Sequence, residues 1–348
     1  MEKDNSLIIR SNISAVAELL RKSGRRIVLL IHVNPDGDAV GSALSLVNLF
    51  NKLGHHTEVV SPNDYPVFLK WMPGTESMIN FKKQPAAAFE AIKQADIIFA
   101  LDFNDLKRVK ELNEAHQAAQ AYKVLIDHHP DPDMAVDCMI SDTSVSSTAE
   151  LVYRFIIDAG MKAHIDKDVA SCIFTGIMTD TGCFSFNSSN RNTWETVAAL
   201  LDYGIEKDRI YSQVYDNFSA NRMRMLGFCL NGNMEVLQDY RTGFIWLSRK
   251  DLDAFKFEPG DTEGFVNYPL SIRGIRFSAL FIEKEGHVRV SLRSKGGFAV
   301  NTFSRNHFNG GGHLNASGGE SFLSLHDTIS LFKELLPQYV DQLCDYDE

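Results

Sequence analysis

The stretch RRIVLLIHVNPDGDAVGSALSLVNLFNKLG, residues 25–54, decides how the rest of the chain is read. Its opening, RRIVLLIHV, contains a continuous apolar run, as expected of a parallel strand buried on both faces. The continuation places Val40, Ala43, Leu44, Val47 and Phe50 on one helical stripe and reaches a natural helix stop at Gly54. That is one strand–helix step. Shorter apolar runs repeat it: HTEVVSP from residue 56, ADIIFALD at 95–102 and YKVLID at 122–127. The repetition predicts an α/β domain built on a mostly parallel sheet.

From Ser146 the text turns helical. SSTAELVYRFIIDAG opens on hydroxyl caps with Glu150 three residues after Ser147, a capping-box spacing. DKDVASCIFTGIMTDTG and NTWETVAALLDYG read as two more helices. After about residue 232 the texture changes, and HVRVSLRS with the turn KEGH before it predicts a hairpin. The expected organisation is a catalytic domain over 1–190, a helical connector over 191–232 and a smaller α+β domain over 233–348, with a cleft between the two domains.

The bulk numbers agree with a two-domain enzyme. A chain of 348 residues exceeds most single cores. Its net charge of −10 argues against a binder of long duplex nucleic acid, which needs a broad basic face. Five scattered cysteines without a C-x-x-C pair read as reduced thiols. MEKDNSLIIRSNIS lacks the pattern of a signal peptide, and no window approaches a membrane span, so a cytoplasmic protein is expected.

Strand-like runs end on potential metal ligands. IHVNPDGD supplies His32, Asp36 and Asp38, ALDFND supplies Asp102, and VLIDHHPDPD supplies Asp127, His128 and His129. Asp180 follows in GIMTDTG. In parallel α/β sheets ligands bind beyond the carboxyl ends of the strands, so these residues can converge at one edge. Asp36, Asp38, Asp102 and Asp180 gathered without cations would repel and have to protonate. Two divalent ions resolve the conflict. Mixed carboxylate and imidazole ligands suit Mn²⁺, with Mg²⁺, Co²⁺ or Zn²⁺ as alternatives, and Asp102 is the natural bridge. Such a pair activates water and supports displacement at phosphorus.

These residues resemble the four motifs of the DHH phosphoesterase superfamily, whose signature is the DHH of residues 127–129. FNGGGHLNASGG, residues 308–319, is similar to the GGGH motif of the DHH-associated C-terminal domain, and VSLRS at 290–294 to the segment preceding it. The resemblance spans essentially the whole chain and is strongest to nanoRNase/pAp-phosphatase (short RecJ-like) proteins. It implies that His32, Asp36 and Asp102 hold one metal, and Asp38, Asp102, His128 and Asp180 the other. It further implies that His129 faces the substrate phosphate and that Asp127 orients an adjacent imidazole.

The tail has its own physics. Gly310, Gly311 and Gly312 allow positive φ and close approach, so that a turn there could form an anion-binding nest beside His313. Seven Lys/Arg against two Asp/Glu between Ser271 and Gly319 make this stretch locally basic. Arg293 with Ser294 in LRS, and Arg108 six residues beyond Asp102, are candidate phosphate contacts, Arg293 joined by Arg273 or Arg276. Phe103, Phe184 and Phe186 lie beside motif residues, where core packing or base stacking are both open. The activity implied by resemblance is metal-dependent hydrolysis of short oligoribonucleotides and of 3′-phosphoadenosine 5′-phosphate (pAp) by water attack on phosphorus. A phosphodiesterase for linear or cyclic dinucleotides is the alternative, and a catalytically silent nucleotide-binding protein a third. The expected partners are short oligonucleotides or a nucleoside bisphosphate, with no membrane and a possible homodimer.

Overall fold

The computed structural model describes residues 5–344; residues 1–4 and 345–348, which the expected domain ranges include, lie outside it. The chain divides into two compact units, the first ending at Asn217 and the second starting at Phe218. No helix among the described residues is long and apolar enough to cross a membrane.

The first unit runs α1 (Asn5–Leu20), β1 (Arg26–Ile31), α2 (Gly37–Lys52), β2 (His56–Ser61), β3 (Met78–Asn80), α3 (Pro85–Gln94), β4 (Ile97–Leu101), α4 (Asn113–Ala118), β5 (Tyr122–Asp127), β6 (Cys138–Ser141), α5 (Thr148–Asp158), α6 (Lys167–Asp180), α7 (Arg191–Leu201) and α8 (Lys207–Tyr215). Its six strands form a wholly parallel sheet in the order β3-β2-β1-β4-β5-β6. Successive residues of β1 serve opposite faces. Ile27, Leu29 and Ile31 join one apolar layer, while Val28 and Leu30 join the other. That two-sided burial is why the strand reads as an unbroken apolar run.

The strand order reverses direction at β1, which has β2 on one side and β4 on the other. Consecutive connections leave there to opposite faces, opening a crevice past the carboxyl ends of β1 and β4. Helices close around it with unusual intimacy. A Cβ at Gly41 on α2 would lie 2.6 Å from the carbonyl oxygen of Cys172 on α6. One at Gly176 on α6 would lie 2.5 Å from Ala149 Cβ on α5. Only glycine permits that approach, which brings the first turn of α5 against the first turn of α2.

The second unit contains α9 (Ala220–Gly232), β7 (Met234–Leu237), β8 (Thr242–Leu247), α10 (Arg249–Ala254), β9 (Phe277–Glu283), β10 (Val288–Ser294), α11 (Val300–His307), β11 (Gly311–His313), β12 (Ala316–Ser321), α12 (Leu325–Leu335) and α13 (Val340–Cys344). Its mixed sheet has the order β11-β12-β10-β9-β8-β7, parallel at β8–β9 and antiparallel elsewhere. The predicted hairpin is β9–β10, closed by the Lys284 N–H on the carbonyl of His287 at 2.8 Å. The segment 191–232 contributes α7 and α8 to the first unit and α9 to the second.

Two local expectations change. Ser147 caps α5 as read, accepting the Glu150 N–H, but the Glu150 carboxylate does not return to it. It takes the Ser146 N–H and Oγ–H and the Thr193 Oγ1–H instead, because Glu150 is wholly buried and needs every donor in reach. The glycine run is not a turn. Gly311–His313 pair with β12 as a short strand, and of Gly310, Gly311 and Gly312 only Gly312 has positive φ, at 143°. A run without side chains carries no periodicity from which a strand could be read.

Candidate metal centre

Each strand expected to carry a candidate ligand at its carboxyl end has that residue there, and β1, β4 and β5 are adjacent. His32 follows β1, Asp102 follows β4, and Asp127 closes β5 with His128 and His129 beyond it. The adjacency sets the distances. His32 Nε2 lies 3.4 Å from Asp102 Oδ2, and His128 Nε2 lies 3.7 Å from Asp102 Oδ1. The same His128 nitrogen is 3.8 Å from Asp38 Oδ2 and 3.6 Å from Asp180 Oδ2, the latter brought in by the last residue of α6.

The carboxylates are held from behind. Asp36 caps α2, its Oδ1 accepting the N–H groups of Asp38 and Ala39 at 3.0 and 3.1 Å. Asp38 turns to the start of α5, where Thr148 N–H donates to Oδ2 at 2.7 Å and Ala149 N–H to Oδ1 at 2.8 Å. The Thr148 hydroxyl donates to Asp102 Oδ1 at 2.8 Å. Thr148, fully buried, thus grips two of the expected ligands at once. In the sequence Thr148 is one of three successive hydroxyls, Ser146 to Thr148, at a helix start where one cap suffices, and that surplus is its signal. Asp102 itself has φ 65°, a left-handed conformation that an aspartate tolerates best when its surroundings impose it.

A second chain of contacts runs alongside. His129 Nδ1–H donates to Asp127 Oδ1 at 2.7 Å, and Arg108 Nη1–H donates to His129 Nε2 at 3.1 Å. Arg108 is therefore placed beside the DHH residues, and Asp127 beside the imidazole it was expected to orient.

Electrostatics test whether the donors fit cations. Burial, then the neighbouring Asp102 and Asp36, push Asp38 well above the usual carboxylate range. Burial and the surrounding Asp36, Asp127 and Asp180 do the same to Asp102, with Arg108 opposing. Asp127 is pushed up by burial to about 7. His32 is pushed down by burial, with Arg108 adding, to about 4. Its Nδ1–H donates to the Val33 carbonyl at 2.9 Å, and its Nε2 lone pair is buried without a hydrogen-bond partner. Five carboxylates thus face one guanidinium, with a neutral imidazole nitrogen aimed among them. Three overlapping sets, His32–Asp36–Asp102, Asp38–Asp102–His128 and Asp102–Asp127–His129, each bring their donor atoms within 4.8 Å of one another. Asp102 belongs to all three. The donor set fits hard or borderline divalent cations.

The DHH family, N-terminal domain, matches residues 26–177, and the DHHA1 domain matches residues 249–340. The chain belongs to the DHH family. Its curated relatives include the bifunctional oligoribonuclease and PAP phosphatase NrnA of Bacillus subtilis, 26% identical over 85% of this chain and 89% of that one. The protein of the same name from Thermus thermophilus is 28% identical over 87% of this chain and 86% of that one. Among solved structures, an exopolyphosphatase-related protein from Bacteroides fragilis superposes with a TM-score of 0.90 at 40% identity, covering 96% of this DHH chain and 98% of its own.

In the DHHA1 unit the expected residues sit on β10, β11 and the links around them. Arg293 lies with Arg289 and Ser291 on the less buried face of β10, its Nη1–H on the Leu292 carbonyl at 2.9 Å. The Ser294 hydroxyl donates to the Phe298 carbonyl and accepts from Asn315, so it fastens a loop. Gly310 is a packing glycine: a Cβ there would lie 2.0 Å from the Gly318 carbonyl oxygen. Gly311 has open space around its Cα, and Gly312 holds the positive φ. His313 ends β11, partly buried. Phe103 is wholly buried core.

Proposed function

We propose that this DHH protein is a two-cation phosphoesterase hydrolysing short oligoribonucleotides and pAp, with Mn²⁺ the preferred ion and Mg²⁺ or Co²⁺ able to replace it. The observation that carries the reading is the sharing of Asp102 among separate ligand sets in a buried cluster whose carboxylates outnumber its one guanidinium, that of Arg108. The activities for which the NrnA relatives are named support the substrate class. The reading assigns His32, Asp36 and Asp102 to one cation and Asp38, Asp102, His128 and Asp180 to the other. When bound, the pair would supply Lewis acidity that lowers the pKa of a water and neutralises charge on the phosphoryl oxygens.

The protein's residues do the rest. Thr148 fixes Asp38 and Asp102 so that their lone pairs need not reorganise. Asp127 keeps the Nδ1–H tautomer of His129, leaving Nε2 beside Arg108. On this reading Arg108 turns from His129 Nε2 to a phosphate oxygen. His129, having taken up at Nε2 the proton that the attacking water loses, passes it to the leaving oxygen while Asp127 holds its Nδ1–H. Arg293 and His313 contact the remaining phosphate or nucleotide, with Gly311 allowing close approach and Ser294, Gly310 and Gly312 holding the shape. The five cysteines are all free, which fits a cytoplasmic enzyme.

The likeness to the exopolyphosphatase-related protein of Bacteroides fragilis favours one second reading, inorganic polyphosphate as substrate. Time-resolved product analysis separates the two. The substrates are pAp, di- to pentanucleotides, cyclic dinucleotides, pyrophosphate and polyphosphate, with Mn²⁺, Mg²⁺ or Co²⁺ and after chelation. The proposal expects AMP from pAp and mononucleotides from dinucleotides, both lost on chelation. Release from polyphosphate alone would transfer the assignment.

A further inference from the structure

The loop that follows Asp180 is built in a costly way that the hydrolytic reading leaves unexplained. Gly182, Cys183 and Phe184 adopt φ 54°, 56° and 65° in succession, and Asn187 adopts 44°. A bulky residue such as Phe184 rarely takes that conformation, which persists only where the surroundings over-determine it. Here they do. The Cys183 N–H donates to the Met178 carbonyl at 2.7 Å, and Phe184 N–H to Thr181 Oγ1 at 3.0 Å. Asn187 Nδ2–H reaches the carbonyl of Val145 at 3.2 Å, just before the segment whose Thr148 grips Asp38 and Asp102.

The result is a rigid hairpin that doubles back over its own start. The Phe186 N–H donates to the Thr181 carbonyl at 2.9 Å, and the ring lies over Gly182, where a Cβ would come within 2.7 Å of it. Phe184 turns inward and stacks on Trp194 at 5.1 Å and Phe174 at 6.0 Å, giving the hairpin an aromatic backing. Trp194 is itself fixed by its Nε1–H on the Ser188 carbonyl at 2.7 Å. Phe186 alone of this pair of phenylalanines is left out, 49% exposed, over the residue two beyond Asp180. Burying it would have been the cheaper arrangement. A flat, half-exposed ring over Gly182, two residues beyond a carboxylate of the phosphate-processing cluster, suits one ligand chemistry, the face of a nucleobase.

We propose that Phe186 is the stacking platform for a nucleobase of the substrate, making the loop 181–190 the element that distinguishes a nucleotide from other phosphoesters. The proposal rests on the phosphoesterase reading above for the place of the phosphate. It separates the nucleotide reading from the polyphosphate one, since polyphosphate has nothing to stack.

Calorimetric binding of AMP and of ribose 5-phosphate to the metal-loaded full chain tests it without relying on turnover. Wild type should bind AMP about tenfold or more tightly than the base-free phosphate, as one stacked base implies. Phe186→Ala should abolish that preference while leaving ribose 5-phosphate affinity unchanged, Phe186→Trp should restore it, and Phe186→Leu should not. Steady-state kinetics should follow, with KM for pAp raised about tenfold in Phe186→Ala and kcat little altered. An AMP preference that survives Phe186→Ala, or a loss that extends equally to ribose 5-phosphate, overturns the platform. A wild type that prefers AMP through Phe186 yet hydrolyses no nucleotide leaves the platform standing and removes the phosphoesterase reading instead.

Discussion

Two histidines of the first unit, His32 at the end of β1 and His116 on α4, are buried alike, and burial pushes both down to about 4. Both carry ring nitrogens without hydrogen-bond partners. The regions around them differ. His32 faces Asp102 and Asp36, so its lone pair points into a cluster of carboxylates that the single guanidinium of Arg108 does not balance. His116 stands in a layer of Val109, Leu112 and Ala119, all buried, with Lys123 as its charged influence. A buried neutral imidazole is thus no sign of chemistry. What marks the strand-end region is that its unsatisfied donors and acceptors converge on one point, where a cation would satisfy several at once.

The largest expected effect breaks that convergence. Asp102→Asn keeps shape and removes the shared charge, so hydrolysis of pAp or a dinucleotide should fall by on the order of 10³-fold or more. Thermal stability without metal should hold or rise, because a buried carboxylate crowded by like charges is itself destabilising. Near-normal turnover would show that Asp102 is not the bridge.

Next comes the response to metal. Cations that bind only the folded cluster stabilise it by about 2.7 kcal/mol at a hundred times their Kd. Mn²⁺ should therefore raise the melting temperature of wild type by several degrees, EDTA should reverse the rise, and Asp102→Asn should show little of it. Equal shifts in both proteins would place the binding elsewhere.

Thr148→Val should cost about 10–100-fold in metal affinity or kcat, since it removes the hydroxyl that holds Asp102 while leaving the backbone donor to Asp38. Thr148→Ser should recover most of the loss. Failure of the serine to rescue would mean that the methyl group, packed at the start of α5, matters more than the hydroxyl.

The same contrast explains what could be read from residues alone. The runs of β1, β4 and β5 were legible because both their faces are buried, and their terminal acids because no ordinary fold gathers so many without purpose. The strands β3 and β6 were not legible, being three and four residues long with partial exposure at the sheet's edges. Thr148 was hidden because a hydroxyl before a helix already has a structural use. His116 offered no signal at all: its isolation depends on what packs around α4, which spacing does not encode.

The smallest prediction sharpens the comparison at His116. Its folded pKa lies near 4 and its unfolded value near 6.5, so below pH 6.5 the unfolded chain takes up a proton the folded chain refuses. The stability it contributes is intact above pH 6.5 and drains as pH falls toward 4, by about 1 kcal/mol at pH 5.5. His116→Leu removes that proton site and two unpaired nitrogens together. The variant should be at least as stable as wild type at pH 7 and lose less stability between pH 7 and 5.5, measured by urea unfolding in EDTA. The remaining slope in that window has His32 as one source, shifted in the same direction. If the slope is unchanged in His116→Leu, the ring is protonated in the folded state through a partner, and the two histidines are less alike than burial makes them.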